Sequence, residues 1–318
     1  MASRAVSVAD LVERARAGEA RAVARLISLV EDQSSKLREV SAALMPHTGK
    51  AHIVGLTGAP GVGKSTSTSA LVKALRAQGR RVGVLAVDPT SPFSGGALLG
   101  DRIRMQEHAT DDGVYIRSMA SRGHLGGLSV AAPQALRVLD AAGCDVVLVE
   151  TVGVGQSEVE ISGLADTTLV LLAPGMGDGI QAAKAGILEI GDIFVVNKAD
   201  REGAQSTRRE LRSVVTMTDR PDGAWKPPIL LTVATSGEGV DEVASEIAQH
   251  HDHLVTTGEL DRRRLARTRR EIEALALTSV RDRFAHLSGD TRLDTLAADV
   301  LTGAIDPYAA ADSLVENL

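Results

Sequence analysis

Gly58, Ala59, Pro60, Gly61, Val62, Gly63, Lys64 and Ser65 stand in the order of a phosphate-gripping turn, with Thr66 next. Glycines let successive backbone N–H groups point inward and approach phosphate oxygens closely. A lysine closing such a turn sets a cation on the β- and γ-phosphates, and the serine after it offers a hydroxyl to Mg2+. The helix expected to start here adds the positive end of its dipole. An apolar run, 52–57, precedes the turn and a helix-compatible run follows it to 78. That strand–turn–helix context is what the pattern requires.

Two acidic residues end apolar runs: Asp88 after 81–87 and Glu150 after 145–149. In a parallel sheet both would project from the edge that carries the phosphate turn, and carboxylate oxygens there suit Mg2+. Glu150, Thr151, Val152 and Gly153 have the acid-x-x-glycine form of a γ-phosphate sensor, in which the Gly153 N–H would contact the phosphate and lose it on hydrolysis. Between them lies a glycine-rich stretch ending at Asp101, a second candidate for the metal or the attacking water, or else a helix cap. In Ras-type GTPases a glutamine directly follows the sensor glycine and orients water. Here Val154 holds that place and Gln156 lies two further on, so slow unaided hydrolysis is expected.

Asn197, Lys198, Ala199 and Asp200 follow the apolar run 193–196. A carboxylate in the place of Asp200 can accept both the N1–H and the exocyclic amine of guanine. Adenine offers no donor at N1 and would leave that acceptor unpaired, at a cost of roughly 1–3 kcal/mol or more. Lys198 can lay its stem over the base, and Asn197 can brace the loop. Ala234, Thr235 and Ser236, after the last apolar run, are placed to offer a backbone contact to the guanine oxygen. The ligand read from these residues is GTP or GDP.

These groups need a scaffold that brings strand tips together. Apolar segments at 52–57, 81–87, 114–119, 145–150, 167–172, 193–197 and 229–233 read as strands, and several are near-continuous Val, Leu and Ile runs that suit strands buried on both faces. Alternating with helix-like segments, they predict an α/β three-layer P-loop NTPase fold with a mostly parallel sheet. Residues 1–50 read as an N-terminal helical extension, with Val8, Leu11, Val12 and Ala15 and then Val23, Leu26, Ile27 and Val30 at helical spacing. Residues 51–253 read as the nucleotide domain and 254–318 as a charged, helical C-terminal arm.

Apolar residues make up 44 % of 318, enough for a large core, while aromatics at 2 % leave that core to aliphatic side chains. A formal net charge of −6 argues against broad nucleic-acid or anionic-membrane binding. One cysteine, Cys144, excludes an internal disulfide framework and reads as a small buried residue. With no signal-peptide core and no long apolar span, the expected location is the cytoplasm. Three weaker signals have plainer readings. The His250, His251, Asp252 and His253 string reads as a surface helix end rather than a metal site. The arginines from 262 to 270 read as a solvated helix face. His124 reads as part of a glycine-rich loop.

The strings GLTGAPGVGKST, VDPTSPFSGGALLGDRIRM, RSMASRGHLGGLS, ETVGVGQSEVE, APGMGDGIQAAKAGILEIGDIFVVNKAD and LLTVATSGEGVDE cover most of 53–243. The chain resembles the MeaB/ArgK family of P-loop GTPases, which assist methylmalonyl-CoA mutase. The resemblance implies GTP and Mg2+ as ligands, a homodimer held by the C-terminal arm, and the adenosylcobalamin-dependent mutase as partner, whose cofactor loading and protection the GTPase gates. It implies that Asp88, Asp101 and Glu150 surround Mg2+ and water, and that Lys184 belongs to an additional switch. The sequence departs from many GTPases in reading Ala234-Thr235 where they have Ser-Ala, a change that bears on the side-chain contact to the base and not on the backbone one. Other classes to weigh are a metal-delivery GTPase for another metalloenzyme and a transport-system ATPase or kinase.

Overall fold

The seven apolar runs form seven strands because β-branched side chains suit a pleated surface covered on both faces. In the computed structural model they are β1 (His52–Thr57), β2 (Val82–Asp88), β3 (Val114–Ala120), β4 (Val146–Thr151), β5 (Thr167–Leu172), β6 (Ile193–Asn197) and β7 (Ile229–Thr232). Every neighbouring pair is parallel, in the order β3-β2-β4-β1-β5-β6-β7. β1 lies between β4 and β5, so β2, β3 and β4 fall on one side of it and β5, β6 and β7 on the other. That switch point is where ligands bind in open α/β sheets. The structure describes residues 7–88, 105–108, 110–120, 131–151, 160–175, 188–217, 221, 223–285 and 291–316, apart from the side chains at 88, 106, 188, 281–285, 291 and 316.

Alternate residues of each strand feed opposite layers. Val54, Leu56, Leu148, Leu169 and Val195 pack against α4 (Lys64–Ala77) and, later in the chain, against Val240–Thr256. Val147, Val149, Leu85 and Val87 face the other way. They share one cluster with α1 (Val8–Arg16), α2 (Ala20–Glu31), α3 (Leu37–Leu44) and α5 (Ala131–Ala141). α6 (Ala204–Met217) covers the same side further along, over Val170, Phe194 and Val196. The first helices are therefore part of the sheet's own cover. Leu26, Ile27 and Leu44 are at most 1 % exposed, and each such side chain is worth about 1.5–3 kcal/mol. Ser7 starts α1 by accepting a hydrogen bond from Asp10 N at 3.2 Å.

α7 (Val240–Thr256) is followed by α8 (Glu259–Ala285), α9 (Thr291–Leu301) and α10 (Pro307–Glu316). The chain divides into two compact units, Met1–Arg264 and Leu265–Leu318. In the second, Ile272, Leu277, Leu301 and Tyr308 are largely exposed.

Two sequence expectations fail here for one reason, burial by residues distant in the chain. His250 is not at the surface: it is 0 % exposed, its Nδ1 lies 2.7 Å from Thr167 Oγ1, and the Trp225 ring packs against it with centroids 4.8 Å apart. The same Thr167 hydroxyl lies 2.7 Å from His52 Nε2. Burial pushes the His250 and His52 pKa values down to about 4 and about 3. The arginine run is not uniformly solvated either, because Arg263 and Arg264 pair with Asp192 and Asp166 at the base of the sheet. Cys144 is buried as expected, and burial raises its thiol pKa to about 12.

Candidate functional site

β1 ends at Thr57 and the chain turns through Gly58 to Gly63 before α4 begins. Gly58 has φ +141°, and a β-carbon there would lie 2.2 Å from Leu171 O on β5. Gly63 caps α4 at φ +97°, with Asn197 Nδ2 only 2.5 Å from where its β-carbon would be. Both positions exclude a side chain by space and by backbone conformation. Lys64, 8 % exposed, arches over the turn and donates to Gly58 O at 2.6 Å and Ala59 O at 3.2 Å.

Glu150 enters from β4, whose register places it opposite Leu56 of β1. It is 3 % exposed. Its Oε1 accepts from Ser65 Oγ at 2.6 Å and its Oε2 from Thr68 Oγ1 at 2.9 Å. Two hydroxyl donors, one to each oxygen, fix the orientation of this buried carboxylate. Thr68 escaped the sequence reading. The available signal was its spacing, three residues after Ser65 on the same helix face. A hydroxyl and a carboxylate side by side, next to a lysine, are hard oxygen donors. Mg2+ takes one or two such groups and fills its shell with phosphate oxygens and water, so this donor set fits it. Among the described residues no group of three or more His, Cys, Asp or Glu side chains could hold a metal. Asp88 ends β2 at the same edge. Its side chain, and Asp101, Gly153, Val154, Gln156, Lys184 and His124, lie outside the described residues.

Asn197 ends β6 and joins three segments. Its Nδ2 donates to Val62 O at 2.9 Å, and its Oδ1 accepts from Ala234 N at 3.1 Å and from Thr232 Oγ1 at 3.2 Å. Lys198, at φ +58°, reaches the phosphate turn and donates to Gly61 O at 2.6 Å. Asp200 is exposed on the loop that follows, and Ala199 N is fixed to Thr232 O at 3.0 Å. Thr235 and Ser236 are exposed beyond the buried Ala234. The phosphate turn and the Asn-Lys-x-Asp loop thus meet at one sheet edge.

A parallel sheet with a glycine turn between its central strand and a helix defines a P-loop nucleotide-binding protein. The sequence profile of the methylmalonyl-CoA mutase-associated GTPase MeaB family matches residues 23–288. The chain belongs to this family and is a GTPase of it. A Pyrococcus horikoshii protein that carries a GTPase name is 50 % identical over 312 residues, covering 97 % of this chain and 98 % of its own. The mouse mitochondrial methylmalonic aciduria type A homolog is 35 % identical over 317 residues, covering 94 % of this chain and 76 % of its own. Among solved structures, an LAO/AO transport system kinase superposes with a TM-score of 0.73 at 28 % identity, covering 99 % of this chain and 98 % of its own.

Proposed function

We propose that the chain is a GTP-driven switch serving an adenosylcobalamin-dependent methylmalonyl-CoA mutase. The observation that carries the nucleotide reading is the Asn197 staple, which holds Val62 of the phosphate turn and Ala234 of the base-side loop at once. The partner reading rests on the family description and on the methylmalonic aciduria name of the mouse relative.

In this reading Lys64 lends its charge to the β- and γ-phosphates, with the backbone N–H groups of 58–66, Pro60 aside, around them. Ser65, Asp88, Asp101 and Glu150 hold Mg2+, which neutralises charge on the phosphates when bound. Asp200 accepts the two guanine donors, the Lys198 stem covers the base face, and Ala234, Thr235 and Ser236 supply backbone contact to the guanine oxygen. Gly153 senses the γ-phosphate and Lys184 belongs to a further switch. With Val154 after that glycine, hydrolysis is slow until the partner completes the site.

Residues 254–318 serve as a dimerisation arm in the cytoplasm. The exposed Ile272, Leu277, Leu301 and Tyr308 are surface that a second copy would cover. Among the described residues no helix is long and apolar enough to cross a membrane.

Calorimetry with GTP, GDP and ATP on the wild type and on Lys64→Ala tests the nucleotide half. Heat with guanine nucleotides alone, abolished in the variant, is the expected result. A pull-down with immobilised protein, loaded first with GTP and then with GDP, tests the partner half. Equal recovery of the mutase in both states, or none in either, defeats the switch.

A further inference from the structure

α8 begins at the base of the sheet, the edge opposite the phosphate turn, and two guanidinium forks tie its first turns there. Arg263 grips Asp192, with Nη1 to Oδ2 and Nη2 to Oδ1 both at 2.9 Å. Arg264 grips Asp166, with Nη2 to Oδ2 at 2.9 Å and Nε to Oδ1 at 3.3 Å. The aspartates are 8 % and 0 % exposed, and each also accepts a strand N–H: Thr168 N to Asp192 at 2.8 Å, Ile53 N to Asp166 at 3.1 Å. Arg264 donates in addition to Gly49 O at 2.6 Å and Ala51 O at 2.9 Å, just before β1. Arg263 donates to Asp166 O at 2.9 Å.

The placement of these carboxylates is what matters. Asp166 immediately precedes β5 and Asp192 immediately precedes β6. The far ends of the gripped strands are the nucleotide site: β1 runs into the phosphate turn, β5 brings Leu171 O against Gly58, and β6 ends in Asn197. All three strands are buried almost throughout, and packed interiors transmit displacement rather than absorb it. Desolvating two ion pairs also costs stability that a plain helix start would not need.

We infer that Arg263 and Arg264 are positioning residues for the nucleotide site, tying the root of α8 to the amino ends of the strands that carry the phosphate and base loops. The inference rests on the guanine-nucleotide reading. Its consequence is two-way. Nucleotide state alters the hold on the helix root, and loosening the root disturbs the loops.

Trp225 is a built-in reporter. It is the only tryptophan, its Nε1 donates to Asp192 O at 2.7 Å, and its ring lies on His250. The test uses the full chain loaded with GDP or with a non-hydrolysable GTP analogue. Hydrogen exchange at 259–264 and Trp225 emission are expected to differ between the two states in the wild type. The Arg263→Gln/Arg264→Gln variant is expected to lose that difference. Its kcat is expected to fall about fivefold or more, a coupling at the low end for linked sites, with KM held within about twofold. Arg263→Lys keeps the charge and loses the fork, so it is expected to fall between and serves if the double variant does not fold. Wild-type protein that binds both nucleotides yet shows the same exchange and emission overturns the inference, as does a variant with unchanged kcat. Absence of any heat with guanine nucleotide sinks the nucleotide reading as well, and calorimetry on the same sample separates the two failures.

Discussion

Asn197 Nδ2 lies 2.9 Å from Val62 O while its Oδ1 accepts from Ala234 N at 3.1 Å, so one amide keeps two ligand loops in register. Asn197→Ala leaves those backbone groups without their partner in a buried place. A loss of about 2–3 kcal/mol in urea unfolding is expected, together with weakened GDP binding. Unaltered stability and affinity would show that the loops hold themselves.

Asp200→Asn exchanges an acceptor for an amide that can donate. Preference is expected to move from guanine to xanthine nucleotides, which carry an oxygen where guanine carries its amine. Competition binding with GDP and XDP reads the switch. Retained guanine preference rules out Asp200 as the base reader.

Ser67 sits in α4, and its hydroxyl makes no hydrogen bond. It faces a cavity of about 10 Å3 lined also by Leu56, Leu71, Leu171 and Val243. Ser67→Ala removes a desolvated hydroxyl and supplies a better helix former. A gain of about 0.5–1 kcal/mol in unfolding free energy is expected. A loss would mean that the hydroxyl has a partner in solution.

His52 and His250 are kept neutral by burial, with pKa values of about 3 and about 4 against 6.5. Below pH 6.5 the unfolded chain therefore binds more protons than the native one. Their contribution is complete above pH 6.5 and is lost as pH falls toward 4 and then 3. At pH 5 the loss is about 2 kcal/mol for each histidine. A urea midpoint that stays fixed between pH 7.5 and pH 5 would contradict this.

The sheet was legible because strands buried on both faces read as mainly apolar runs; 52–57, 167–172 and 193–197 coincide with β1, β5 and β6. The phosphate turn and the Asn197 loop were legible because their chemistry demands particular residues in contiguous order. What escaped was long-range pairing. Arg263 finds Asp192 across 71 residues and Arg264 finds Asp166 across 98, and nothing local in an arginine-rich helix announces either. His250 looked like a solvated helix end because its cover, Trp225 and Thr167, comes from other parts of the chain. Thr68 was hidden by being one hydroxyl among several in the Ser65–Ser69 run.

Cys144 is 3 % exposed, and its proton is held to a pKa of about 12. Maleimides and iodoacetamide need a thiolate in reach, so the native protein should ignore them. The lone thiol then becomes a clock, because every alkylated molecule records an opening of the layer between Gly83 and Leu139. Labelling rates with and without nucleotide would measure how often that layer opens, with no probe added to the chain.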